Sequence, residues 1–378
     1  MDIIHASNVC AALPEGLKLL LQNGVREESR AGPVIVMPHP VVTVYEQPRE
    51  RVLASPVRDA NPFFHLAEAL WMLAGRNDVK FLDTFIKDFG SRFAEPGGEV
   101  HGAYGHRWRT ALGFDQLDHV IEVLKKDPTS RQCVIQMWDG SEGTDGCRDL
   151  TGSWRDRPCN THVYLRVRES IDVAVSGDLE EARRERRTPT MVLNSHVLDI
   201  TVLCRSNDII MGAYGANAVH FSILQEYLAA MIGVGIGRYY QVSNNFHAYQ
   251  RDIDRLTTRT QKELDLSVVT INHLLGCLSS PDCHPPTIPL VNDPSTFDAD
   301  LKMVLGQFEH LDVTEPGRVL WAGPALNNGF LTEVAWPMMV AYQLHRNALG
   351  KTAETLLMTA KECDWTLEGL AWLRRHRR

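Results

Sequence analysis

Apolar positions first fall into helical register between Pro62 and Leu73, where PFFHLAEALWML repeats with a period of three to four residues. Asn61 offers a side-chain oxygen as an N-cap, and Pro62 suits the first helical position because the N–H it lacks would have no partner there. Gly75 marks the stop. Glu68 is the one carboxylate inside this apolar stretch. A second helix is predicted from Phe114 to Lys126, and strands over Gln132 to Trp138, Val163 to Val167, Val197 to Cys204 and Arg238 to Val242. A glycine-bearing loop after Asp208 leads into a long apolar helix from Ala218 to Ile232. The opening stretch to Arg58 reads as strands and turns, with β-rich runs at Pro33 to Met37 and Val41 to Tyr45. Residues 168–196, with the run EEARRERR, read as a variable, solvated polar insertion. Pro281 to Pro294 reads as a linker, and helical patterns follow at Leu331 to Leu349, Ala353 to Lys361 and Thr366 to Arg375. The expected division is a body of residues 1–275 and a linker with a helical extension over 276–378.

Composition narrows the function class. With 44% apolar and 23% charged residues, the 378-residue chain is that of a protein able to bury a sizeable core. Its 39 Lys plus Arg against 47 Asp plus Glu give a net charge of −8, with no basic excess to hold a nucleic-acid backbone, so no nucleic-acid partner is expected. No run reaches the roughly 18 to 20 apolar residues of a membrane span, and Met1 to Glu15 lacks the pattern of a signal peptide, so a cytoplasmic protein with no membrane partner is expected. Eight scattered cysteines form no CxxC pair, and neither a disulfide framework nor a metal is expected. The grouping Cys277, Cys283, His284 fits no standard zinc spacing.

Candidate chemistry lies in short patterns. Pro158-Cys159-Asn160 heads one strand, Arg205-Ser206-Asn207-Asp208 ends another, and His247-Ala248-Tyr249 follows a third. With Glu68 in EALWMLAG, Gly102 to Arg109 (GAYGHRWR) and Asp127 to Arg131 (DPTSR), they stand in an order that resembles the thymidylate synthase family over about residues 24–255. That resemblance implies an α/β (α+β) fold around a large mixed sheet flanked by helices. It implies a homodimer, a pyrimidine nucleoside monophosphate as substrate and 5,10-methylenetetrahydrofolate as one-carbon donor. Cys159 would add to carbon 6 of the base and turn carbon 5 into a nucleophile; such a thiol needs its pKa lowered by nearby cations. Arg205 matches the arginine that touches both phosphate and cysteine, Ser206 gives a further phosphate hydrogen bond, and Arg30, together with Arg131 reaching in from the partner subunit, completes an anion cage of bidentate guanidinium groups. Glu68 would organise water and proton transfer, and Tyr104 would belong to the network that removes the carbon 5 proton. Asp208 would hold the pterin, Asn217 would read the base, and His247 and Tyr249 would bind the sugar 3′-hydroxyl.

Several positions depart from the synthase pattern. Asn160 replaces the usual histidine, Gln132 the second phosphate-binding arginine, and MGAYGANAVHF the usual loop before the base-reading asparagine. Where synthases carry a tryptophan beside the folate, the ungapped spacing from Gly75 to Tyr104 sets Gly90, with Phe89 and Phe93 as the other candidates for a shield. A glycine there would admit water to the exocyclic methylene intermediate, since water exclusion protects it. The Gly90 departure favours a hydroxymethylated product over a methylated one. The amide of Asn217 suits uracil, and deoxycytidylate, cytidylate and a divergent synthase making a methyl product stand as alternatives.

Overall fold

The fold is seen in a computed structural model that describes residues 1–143, 146–172, 192–279, 285–313, 323–324 and 326–377. Six strands form the main sheet in the order Asp2–Ala6, Val41–Tyr45, Gly235–Ser243, Val192–Cys204, Asn160–Asp172, Val134–Gln136. The pairings are mixed: the first pair and the Gly235–Ser243 pair with Val192–Cys204 are parallel, the others antiparallel. Alternation decides which face is inside: Val163, Leu165 and Val167 are buried, while Tyr164 and Arg166 face outward. The inner face packs on Asn217–Ile232, a helix buried almost all round. This is the α/β architecture of a mixed sheet flanked by helices that the sequence implied.

A four-stranded sheet runs Asn207–Asp208, Phe246–Tyr249, Gly32–Val36, Val25–Ser29. It pairs Asp208 with His247 and places the Arg30 turn on its far hairpin. Segments far apart in sequence thereby meet at one end of the main sheet, where Cys204 and Asn160 are also paired.

The opening stretch corrects the sequence-based reading. Val9–Asn23 is a helix capped by Asn8, although it contains Pro14 and Gly16. A Cβ at Gly16 would lie 2.3 Å from the Tyr214 ring, so the glycine serves helix packing and not a turn. The Pro62–Leu73 helix stands as read, with Asn61 accepting from the N–H groups of Phe63 and Phe64. The second helix starts at Gln116 because Asp115 caps it.

Helices Phe297–Glu309, Trp336–Arg346, Gly350–Thr359 and Asp364–Arg375 share one hydrophobic core with the rest of the chain. Phe63 stacks on Tyr342, and Phe85 lies against Phe308 and Tyr342. Tyr342 donates from its hydroxyl to the Phe85 carbonyl at 2.6 Å, and Gln343 donates to the Thr84 carbonyl at 3.0 Å. The extension thus grips the backbone just before Phe89 and Phe93. The run EEARRERR, Cys283 and His284 lie outside the described residues.

Candidate active site

A cavity of about 200 Å³ opens between the Pro62–Leu73 helix, the Tyr104–Arg109 helix and the first turn of Asn217–Ile232. Glu68, Phe89, Phe93, Tyr104, Asp156, Asn217 and His220 line it. Gly105 makes the close approach possible: a Cβ there would sit 1.9 Å from the Met72 carbonyl oxygen.

Cys159 is half-buried at the head of its strand. Its backbone N–H donates to the Tyr104 hydroxyl at 3.2 Å and its carbonyl accepts from the Arg205 N–H at 2.9 Å, so the main chain alone fixes its place. The Arg205 guanidinium lies 4.0 Å from the sulfur and also donates to the Pro158 carbonyl. The expected lowering of the thiol pKa is absent. Burial pushes the thiol up, Asp156 and Asp208 add to this, and the opposing pull of Arg205 and Arg30 does not offset it.

Three N–H groups converge on the Tyr104 oxygen, from the backbones of Cys159 and Asn160 and from the Asn160 amide at 2.8 Å. Burial, with the Cys159 and Asp156 neighbours, pushes this phenol well above its ordinary range. At neutral pH Tyr104 is therefore a phenol whose O–H is left to donate, and not itself a base.

Asn217 belongs to a relay of buried amides. It accepts from Asn160 at 3.0 Å and donates to Asn207 at 3.0 Å; Asn207 in turn donates to Gln241 and Ser243, and Gln241 to Tyr239. Each link fixes the direction of the next, so the Asn217 amide has one orientation. One N–H and one lone pair remain for a ligand.

Gly90 requires a correction. Its N–H donates to Asp83 at 2.9 Å, and a Cβ there would meet Asp83 and Val79 at 3.0 and 3.1 Å. The position points into the neighbouring helix, so its missing side chain does not open the cavity. The wall is supplied by the rings of Phe89 and Phe93, 4.8 Å apart.

Asp208 spends one carboxylate oxygen capping the turn that follows, accepting from Ile210 and Met211, and is not in the cavity wall. His247 and Tyr249 pack edge to face beside it. Ser206 is half-buried next to Arg205. Arg30 lies on an exposed turn near enough to act on the Cys159 thiol, whereas exposed Arg131 lies between Lys126 and Val134, away from this cavity.

Two cavity residues had escaped the sequence reading. Asp156 arrives only through the turn at Pro158, which no spacing announces. His220 had a signal: it stands three residues after Asn217 and so shares its helix face. Its Nε2 lies 2.9 Å from Glu68 Oε2. Among the described residues no group of three His, Cys, Asp or Glu could hold a metal ion, and no helix is long and apolar enough to cross a membrane.

Asp149 braces the helix that carries Tyr104. It is buried, paired bidentately with Arg107 at 2.6 and 2.9 Å and with His101 at 2.7 Å. Burial would raise its pKa, but the hydrogen bonds from His101 and Arg107 hold it at about 2, below the ordinary 3.8. Because the folded value is the lower one, the stabilisation is whole above about pH 4 and is lost as pH falls toward 2. Thermal melts should therefore show Asp149→Asn less stable than the native protein at pH 6, with the gap closing near pH 2. A gap that does not change with pH would contradict this.

Comparison with known proteins adds independent findings. The family model described as thymidylate synthase matches residues 16–274. A deoxyuridylate hydroxymethyltransferase of Pseudomonas phage M6 is 38% identical, the alignment covering 100% of this chain and 95% of that protein. One of Bacillus phage SP01 is 31% identical over 61% of this chain and 55% of that protein. Among solved structures, thermostable thymidylate synthase A from Bacillus subtilis gives a TM-score of 0.47 at 20% identity, covering 67% of this chain and 83% of that one.

Proposed function

Since this chain belongs to the thymidylate synthase family, we propose that it is a deoxyuridylate hydroxymethylase, moving a one-carbon unit from 5,10-methylenetetrahydrofolate to carbon 5 of deoxyuridylate with water completing the product. The observation that carries the choice of base is the locked Asn217 amide. Uracil offers a carbonyl acceptor and an N3–H donor, which an amide with one free N–H and one free lone pair matches. Cytosine presents the reverse order, and the amide would have to break with Asn160 and Asn207 to meet it. The near full-length likeness to a hydroxymethyltransferase of deoxyuridylate supports the same product.

In this mechanism Arg205 and Arg30 hold the phosphate, with Ser206 adding a hydroxyl, while His247 and Tyr249 face the sugar. Cys159 adds to carbon 6 as its proton leaves, a step that must overcome the burial of the thiol. The folate supplies an activated methylene, for which the cavity offers an aromatic wall and Glu68. Carbon 5 bonds to that methylene and gives up its proton through water ordered by the Tyr104 hydroxyl, and tetrahydrofolate departs as the bond between its nitrogen and the methylene breaks, leaving an exocyclic methylene on the ring. Glu68 then takes a proton from the water that adds to the exocyclic methylene, and Cys159 departs as the ring regains its double bond. Supporting a homodimer are the outward-facing Tyr164 and Val134 on the main sheet and Arg131 beside them, free to serve a partner's site.

A second reading has one observation in its favour. Phe89 and Phe93 present aromatic surface where a shield against water would stand, as a methylating synthase requires. Incubation with methylenetetrahydrofolate and a mixture of deoxyuridylate, deoxycytidylate and cytidylate, with mass spectrometry of the products, separates the two. The expected result is a hydroxymethyl group on deoxyuridylate alone with tetrahydrofolate released. A methyl product with dihydrofolate would establish the synthase, and modification of cytidylates would overturn the assignment to Asn217.

A further inference from the structure

The cavity holds a buried pair that the mechanism above has not used fully. His220 is 5% exposed, in the first turn of the helix that carries Asn217, and its Nε2 meets Glu68 Oε2 at 2.9 Å across the cavity. Glu68 comes from the middle of the opposite helix, with its side chain 15% exposed. The other imidazole nitrogen, Nδ1, is buried and has no hydrogen-bond partner. A protonated Nδ1 would be an orphaned buried donor next to nothing that accepts, so the proton belongs on Nε2, where it is donated to the carboxylate. His65, one turn before Glu68, is buried and held neutral, its pKa lowered to about 3 by burial and by Arg58 and His220, so it brings no positive charge to the pair from that side.

A glutamate side chain turns about three torsions before its oxygens are placed, and a general base works only when its lone pair is aimed at the proton it takes. A single strong N–H donor on Oε2 removes that freedom and leaves Oε1 for a water molecule. We infer that His220 is the positioning residue that aims Glu68 at the water which attacks the exocyclic methylene, and that it acts at this step and not at the earlier loss of the carbon 5 proton. This rests on the hydroxymethylase reading.

The step balances without a further reactant. The water oxygen forms a bond to the methylene carbon, its proton passes to Glu68, and the π pair of the exocyclic double bond moves onto the ring as an enolate. The enolate re-forms the double bond between carbons 5 and 6 as the carbon 6–sulfur bond breaks and the Cys159 thiolate leaves. A thiol such as 2-mercaptoethanol attacks the same carbon as its own thiolate and needs no base, so it bypasses Glu68.

The discriminating pair is His220→Gln and His220→Asn, two amides of similar bulk of which only glutamine places an N–H at the reach of Nε2. With tritium at carbon 5 of deoxyuridylate, label release reports the early steps and hydroxymethyl product the last. In a single turnover with enzyme in excess, His220→Asn is expected to release tritium within a few-fold of the native rate while hydroxymethyl product forms roughly 100-fold more slowly. Added 2-mercaptoethanol should then capture the accumulated intermediate as a thioether. His220→Gln should recover product at least tenfold over His220→Asn. Deoxyuridylate binding measured by calorimetry without folate should be unchanged in both. Equal product from the two variants, or tritium release and product falling together, would overturn the inference. Native protein that forms no hydroxymethyl product would overturn the proposed function instead, whatever the variants do.

Discussion

Cys159→Ala should lose turnover by roughly 10⁴-fold or more, the scale at which removal of a covalent nucleophile is felt, while still folding and binding deoxyuridylate. The backbone of Cys159 is held by the Tyr104 hydroxyl and by the Arg205 N–H, neither of which needs the sulfur. Among the described residues the thiol itself has hydrogen-bond contacts with the Arg205 guanidinium and the Arg157 carbonyl, both at 4.0 Å, so its loss leaves no strong bond unmade. The other thiol at this end of the sheet, Cys204, is fully buried on the neighbouring strand, donates to the Asn160 amide oxygen, and is pushed by burial well above the ordinary thiol range. It is no substitute nucleophile, and Cys204→Ala should retain turnover within an order of magnitude. Product formation by mass spectrometry and nucleotide binding by calorimetry check both variants. Turnover by Cys159→Ala above about one per cent of the native rate would remove Cys159 from the mechanism.

Local signals carried most of what the sequence disclosed. The Pro62–Leu73 helix was legible to its cap because Asn61, Pro62 and the apolar period are all local. The Val9–Asn23 helix was not, because Pro14 and Gly16 look like breakers until Tyr214 is seen against Gly16. The extension was legible as helices, but its grip on Thr84 and Phe85 through Gln343 and Tyr342 spans more than 250 residues of sequence and leaves no periodic trace. At the site, ordered motifs identified the segments that converge. They did not disclose where a Cβ points, and so Gly90 was assigned an opening that belongs to no wall of the cavity. Nor did they disclose burial, which turns Arg205 from the master of the Cys159 thiol into a partial counterweight.

The largest stability effect is expected at Glu226, on the same helix as Asn217 and His220 but turned toward the loop at residues 49–51 and toward Leu290. Its carboxylate is 4% exposed and receives the Arg51 guanidinium, itself 5% exposed, on one oxygen. The other oxygen accepts the Leu290 N–H at 3.0 Å and lies 3.4 Å from Arg49, which also donates to the Thr287 carbonyl. One carboxylate thus joins the loop at residues 49–51, the core helix and the segment that leads into the extension. Glu226→Ala leaves the Arg51 charge buried without its partner, a loss of about 3 to 5 kcal/mol. Glu46 and Arg238 also make a short ion pair, 2.6 Å, but at 38% and 47% exposure. There water replaces what either partner loses, and Glu46→Ala should cost no more than about 1 kcal/mol. Urea unfolding of the two variants decides the matter: a loss at Glu226 no larger than at Glu46 would mean that water reaches Arg51, and that the extension is held to the body by its aromatic contacts and the bonds from Tyr342 and Gln343.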